Sequence, residues 1–170
     1  MTKLERLWAG WRSEYISGVA TQEVKGPCFF CALQELDDAE AMILERSAST
    51  FTLMNAYPYT SGHVLIAPLQ HESSLVALDR DEAAELMFAT QRANAALLEA
   101  YRPGGVNIGA NIGRAAGAGV PSHVHVHALP RWDGDTNFMT AVAEARVLPE
   151  SLRTSYDKLR GAWPAVGSEA

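Results

Sequence analysis

The chain predicts an α+β fold: a mainly antiparallel sheet with helices packed on one face. Three observations carry that expectation. Two apolar runs of strand length, "AMILER" (41–46) and "FTLMNA" (51–56), are joined only by "SAST", which reads as a hairpin. A long helical stretch opens with Asp79 and Glu82, three residues apart as in a capping box. Histidines then alternate through "PSHVHVHALP" (121–130), and a period of two belongs to a strand.

The remaining elements follow in order. Residues 3–16 place Leu4, Leu7, Trp8 and Trp11 at helical spacing, which predicts a short amphipathic helix. A loop through Gly26 and Pro27 leads to Cys28 and Cys31 in "GPCFFCAL". Past the hairpin, "SGHVLIAPL" (61–69) is a third strand, entered through Gly62 and closed by Pro68. The long helix runs on to Tyr101, with Leu86, Phe88, Ala93, Leu97 and Leu98 available for burial, and Pro103-Gly104-Gly105 stops it. "VNIGANIG" (106–113) alternates as a fourth strand, and the small-residue loop "RAAGAGVPS" leads into the histidine strand. "LPESLRTSYDKLRGAW" (148–163) is a final helix that starts near Glu150 or Ser151.

A length of 170 residues fits one domain. It divides into an N-terminal helical arm (1–25), a core (26–140) and a C-terminal helical segment (141–170). The 48% hydrophobic and 20% charged content is ordinary for a globular chain. A net charge of -6 without a basic cluster argues against a nucleic-acid partner, which would need a lysine- and arginine-rich face. A small phosphorylated ligand stays open, because backbone amides can hold phosphate. No apolar run is long enough for a membrane span, and "MTKLERLWAGWRSEYI" lacks the apolar stretch of a secretory signal, so a cytoplasmic location is expected. In a reducing compartment Cys28 and Cys31 point to metal binding or redox exchange, with two buried thiols as the plain alternative.

On a strand, His123, His125 and His127 share one face while Val124, Val126 and Ala128 take the other. The valine face suits a core and leaves the histidine face for something polar. Across four residues the Cα atoms of His123 and His127 stand about 13 Å apart. That span disfavours one zinc ion held by all three, because each nitrogen would have to lie about 2 Å from the metal. A row of imidazoles can instead follow an extended anion, supplying one nucleophile and neighbouring donors. A lone histidine would need no such explanation, but strict alternation behind a glycine-rich loop does.

At these residues the chain resembles the histidine-triad (HIT) family. "HVHVHAL" matches its signature of three histidines separated by apolar residues, with "GHVLIAPLQH" upstream and "LPRWDGD" downstream in the expected order. The likeness covers about residues 28–138 and is greatest to bacterial members linked to diadenosine-tetraphosphate turnover. It implies a HIT-like fold that dimerises across a sheet edge and helix; Trp8, Trp11 and the C-terminal helix offer surfaces for a tetramer. It also implies a nucleotide-binding hydrolase or transferase acting on a purine nucleotide or dinucleoside polyphosphate. In such enzymes the middle histidine, here His125, attacks the α-phosphorus to give a nucleotidyl-histidine, and water or phosphate resolves it. His127 then hydrogen-bonds the phosphate region, and His63 holds a triad ring from behind.

The resemblance assigns further residues. Asn55 stands where the family binds ribose, and Asn111 where it binds phosphate or orients the leaving group. Gly117, Gly119 and Ser122 fall in the phosphate loop, although "AGAGVPS" lacks the family's glutamine and is one residue longer. Zinc-containing members join a Cys-x-x-Cys pair to the histidine of "APLQH" and the first triad histidine. That implies structural zinc on Cys28, Cys31, His71 and His123, and no organic cofactor. Two other readings share these residues: hydrolysis of adenosine phosphoramidates, and a non-catalytic nucleotide-sensing module. The sequence leaves open the base preference, the acceptor and any part for "RWDGDTNF".

Overall fold

The computed structural model describes residues 28–135 and 150–164. The expected N-terminal helix, its tryptophans and the segment 136–149 lie outside the described residues. Two short helices come first, α1 (Phe29–Gln34) and α2 (Asp38–Ala41), then strands β1 (Ile43–Arg46), β2 (Thr50–Met54) and β3 (Val64–Pro68). The long helix α3 (Arg80–Tyr101) follows, then β4 (Gly105–Ala110), β5 (Val126–Arg131) and α4 (Leu152–Ala162). The five strands form one sheet in the order β1-β2-β3-β5-β4, and every neighbouring pair is antiparallel.

The two faces of the sheet are filled differently. Leu44, Met54, Val64, Ile66 and Ala128 pack under α3, against Leu86, Ala89, Ala93, Ala96 and Leu97, and meet Tyr156 and Leu159 of α4. The alternate residues Ile43, Phe51, Leu53, Leu65 and Ala67 point the other way, onto Phe30 of α1 and Ala41. Both long helices thus lie on one face, while the six-residue α1 covers part of the other. Period-two alternation along each strand produces this split.

The long helix begins as its sequence predicts. Asp79 accepts from the amides of Asp81 and Glu82, and Glu82 returns a hydrogen bond from the Asp79 amide. It ends at Arg102, whose backbone enters the left-handed region at φ 43°. Pro103 follows, and a residue before proline is pushed out of the α region. Leu86, Ala93 and Leu97 are buried, but Phe88 and Leu98 are 54% and 46% exposed, contrary to expectation. Phe88 sits about 200° round the helix from Leu86, so the face that meets the sheet cannot include both.

Two further features depart from the pattern. "AMILER" is shorter as a strand than expected, because Ala41 ends α2 and Met42 adopts φ 52°. Within it Glu45 is buried, and Arg92 of α3 pairs with both Glu45 and Glu85 at 2.8 Å. The "RWDGD" stretch closes on itself: Asp135 accepts from the Arg131 guanidinium and from the Trp132 amide. Arg131 also reaches Asn107 on β4, so this turn clamps β5 to the edge strand.

Candidate functional site

The histidine stretch enters the sheet late. Regular pairing begins at Val126, and His123 and His125 occupy the lead-in to β5. The face expected to be left for something polar is instead partly covered, because Phe30 packs on both His123 (5.0 Å between ring centroids) and His125 (4.8 Å). Each of the three rings is then committed differently.

His123, fully buried, turns toward α1. Its Nδ1 lies 3.4 Å from Cys28 Sγ and 3.8 Å from Cys31 Sγ, and His71 Nδ1 lies 3.4 Å from Cys31 Sγ. The four ligand atoms all fall within 4.8 Å of one another. A tetrahedral ion with sulfur at about 2.3 Å and nitrogen at about 2.0 Å would hold such atoms about 3.6 Å apart, so the donor set fits a metal ion. The His123 Nε2–H donates to Pro68 O at 2.9 Å, the outer hydrogen bond that fixes a ligating imidazole. The four residues assigned to metal therefore come together.

His125 uses its nitrogens the opposite way. Its Nδ1–H donates to the His123 carbonyl at 2.8 Å, which places the lone pair on Nε2. Among the described residues, that Nε2 makes no hydrogen bond, and it is not among the buried polar atoms without a partner, so it is the edge of the ring left open. Burial pushes the His125 pKa below the usual imidazole value, against the opposing pull of the His123 carbonyl. The ring is neutral at pH 7, and its free nitrogen carries a lone pair capable of nucleophilic attack.

His127 is joined to His63 by a 3.0 Å bond between His63 Nε2 and His127 Nδ1. Its direction follows from the far side of His63, where the Tyr59 amide donates to Nδ1 at 3.1 Å. Nδ1 of His63 must accept, so Nε2 carries the hydrogen and donates to His127 Nδ1. His127 is left with its own hydrogen on Nε2, aimed away from His63. Burial pushes the His127 pKa down to about 4, with the neighbouring His125 charge adding to the shift. Asn55 sits behind the same ring: its Nδ2 approaches His63 Nδ1 at 3.2 Å, while its Oδ1 accepts from the Tyr57 amide.

The loop assigned to phosphate is compact. Gly113 and Gly117 have φ of 80° and 86°, and a single 3₁₀ turn spans Arg114–Ala116. The Gly117 amide donates within the loop to Arg114 O at 3.0 Å, whereas the amide of Gly119 takes no part in these bonds. Ser122 is exposed beside His123. Asn111 directly follows β4, whose Ala110 pairs with Val126, and so lies level with His125.

Sequence reasoning missed Phe30 and Tyr59. Phe30 carried a signal, since a residue between two ligating cysteines must lie beside whatever they hold. Tyr59 carried none: it lies in an irregular segment, and its partner His127 is on a distant strand.

Comparison with known proteins places the chain in a family. A family model described as the HIT domain matches residues 37–134. An AP-4-A phosphorylase of Mycobacterium tuberculosis is 34% identical, covering 95% of this chain and 85% of that protein. A bis(5'-adenosyl)-triphosphatase of Dictyostelium discoideum is 32% identical over 48% of this chain and 54% of its own. Among solved structures, a Zn-bound histidine triad family protein from Mycobacterium smegmatis superposes with a TM-score of 0.65 at 29% identity. The match covers 80% of this chain and 92% of that one.

Proposed function

The chain belongs to the HIT family, and from that premise we propose that it cleaves diadenosine polyphosphates through a nucleotidyl-histidine at His125. It is a nucleotide hydrolase or transferase of that family, related to enzymes named for diadenosine polyphosphates. The observation that carries the finer reading is the His125 ring. Its Nδ1–H is held by the His123 carbonyl, and its Nε2 takes no hydrogen bond from the described residues.

In the proposed reaction His125 Nε2 forms a bond to the α-phosphorus as the bond to the departing phosphate oxygen breaks. Nδ1–H stays on the ring, and its positive charge is stabilised by the His123 carbonyl. The His127 Nε2–H is placed to donate to phosphate oxygen as charge develops there. In the second step the acceptor takes the nucleotidyl group and restores neutral His125. Dividing the displacement in two makes each step easier. Inorganic phosphate is the acceptor we favour, on the likeness to a phosphorylase over 95% of the chain; ADP is then the product, where water would give AMP.

Asn111, Gly119 and Ser122 are assigned to phosphate on this reading, with a smaller part for Gly117, whose amide is engaged inside the loop. Asn55 is assigned to the ribose. The metal is assigned as structural zinc on Cys28, Cys31, His71 and His123. When bound it would tie α1 to the lead-in of β5, and four protein ligands leave no coordination position for substrate. A homodimer is part of the proposal, because Ile108 on the edge strand and Phe88 and Leu98 on α3 are exposed apolar residues.

Product analysis on diadenosine tetraphosphate, with and without phosphate, tests the reaction. ADP formed only with phosphate, and an adenylyl adduct absent in His125→Ala, would support it. Turnover of adenosine phosphoramidate in place of the dinucleotide would overturn the substrate class.

A further inference from the structure

We propose that Tyr59 is a positioning residue of the transfer site, holding His63 and His127 so that His127 presents its Nε2–H to the phosphate. The inference rests on the nucleotidyl-transfer reading for its chemistry, but its geometry stands apart from any substrate.

Three contacts converge from this one residue. Its amide donates to His63 Nδ1 at 3.1 Å. Its ring packs on the His63 ring at 4.8 Å, tilted by 43°. The same ring lies nearly parallel to that of His127, at 13° and 6.1 Å between centroids. The backbone contact sets which nitrogen of His63 carries hydrogen, and the ring contacts limit how far either imidazole can turn. Backbone and side chain therefore act on the same pair of histidines.

The segment is built to keep Tyr59 in place. Pro58 before it fixes one backbone dihedral. Thr60 after it donates its hydroxyl to Pro130 O on β5 at 3.2 Å. His127 itself touches three rings: His125 at 4.9 Å, His63 at 5.2 Å and Tyr59. Of these, His125 takes on charge in the proposed reaction, and His63 is itself held by the Tyr59 amide. Tyr59 is the constant one. If its ring is lost, His127 can rotate about its terminal torsion, which is broad and roughly two-fold, and the bond to His63 Nε2 is broken. A donor displaced by about 1 Å can cost on the order of 100-fold in rate.

The test compares Tyr59→Phe, which keeps the ring, with Tyr59→Leu, which removes it; Tyr59→Met replaces Tyr59→Leu if the latter fails to fold. Steady-state rates on diadenosine tetraphosphate should show kcat lowered about 10- to 100-fold in the ring-less variant, with KM nearly unchanged and Tyr59→Phe close to wild type. Nitrogen NMR of the histidine rings supplies a readout that needs no substrate. His127 should carry its hydrogen on Nε2 in wild type and Tyr59→Phe, and should populate both tautomers without the ring. Unchanged kcat, an effect confined to KM, or a single unchanged tautomer in the ring-less variant would overturn the proposal. Failure of the wild-type enzyme to form a nucleotidyl adduct would instead overturn the transfer reading, while the NMR comparison would still decide the hold on His127.

Discussion

The two ends of the histidine row use the same side chain in opposite senses. At the upstream end His123 turns Nδ1 toward sulfur and closes Nε2 on the Pro68 carbonyl. At the downstream end His125 and His127 bind protein groups through Nδ1 and leave Nε2 outward. The upstream donors converge on a point, as a metal ion requires, and the downstream rings are strung out, as a phosphate chain requires. What differs is the partner offered to each ring. A carbonyl or an imidazole at one nitrogen decides what the other nitrogen can do.

Because the two ends are built differently, they should fail separately. The largest effect belongs to the downstream end. His125→Ala should lower turnover by roughly 1,000-fold or more, with metal content and melting temperature close to wild type. Simultaneous loss of metal would show that the ends are not separate.

The next effect belongs upstream. Cys31→Ser, or exhaustive chelation, should remove the metal and lower stability by about 3 kcal/mol, read as a fall of roughly 10 °C in melting temperature. Loss of turnover in a Cys31→Ser protein with an unchanged melting curve would break the structural assignment.

A smaller effect tests how the scaffold supports the downstream end. Gly62, next to His63, has φ 80°, and an added Cβ would meet the Tyr101 ring at 2.6 Å. Gly62→Ala should cost about 1–3 kcal/mol in urea denaturation and reduce turnover without loss of metal.

The last effect is electrostatic and appears only on acidification. His127 titrates near 4 in the folded protein, well below an unfolded imidazole. As pH falls through about 6.5 the unfolded chain takes up a proton that folded His127 refuses until about 4. Its contribution to stability is therefore complete above that window and is lost across it. The unfolding free energy from urea melts should fall more steeply between pH 7 and 4.5 in wild type than in His127→Gln, and equal slopes against pH would count against the buried neutral ring.

Much of this was legible in the sequence because it is local. The capping box at Asp79 and Glu82 involves neighbours, and the predicted helix over 79–101 is found at Arg80–Tyr101. Strand alternation in "FTLMNA" and "SGHVLIAPL" reports which residues face α3. The four residues assigned to a metal were legible once the family likeness supplied the partners, and the structure brings all four together, as a metal site would need. The short helix α1 was not legible, since six residues are too few to display a helical period. Nor was the phase of α3, where Phe88 and Leu98 are as apolar as the residues that are buried.

By itself, then, the sequence determined the element types, the alternating histidines and the paired cysteines, all of them set by spacing along a few residues. Tertiary structure alone decided which nitrogen each histidine exposes. Cys28 meets His123 across 95 residues, and His63 meets His127 across 64. Tyr59 reaches its two imidazoles only because the antiparallel pairing of β3 with β5 brings its segment alongside them. An imidazole's two nitrogens are nearly equivalent until a neighbour binds one, and in this fold that neighbour arrives from a distant part of the chain.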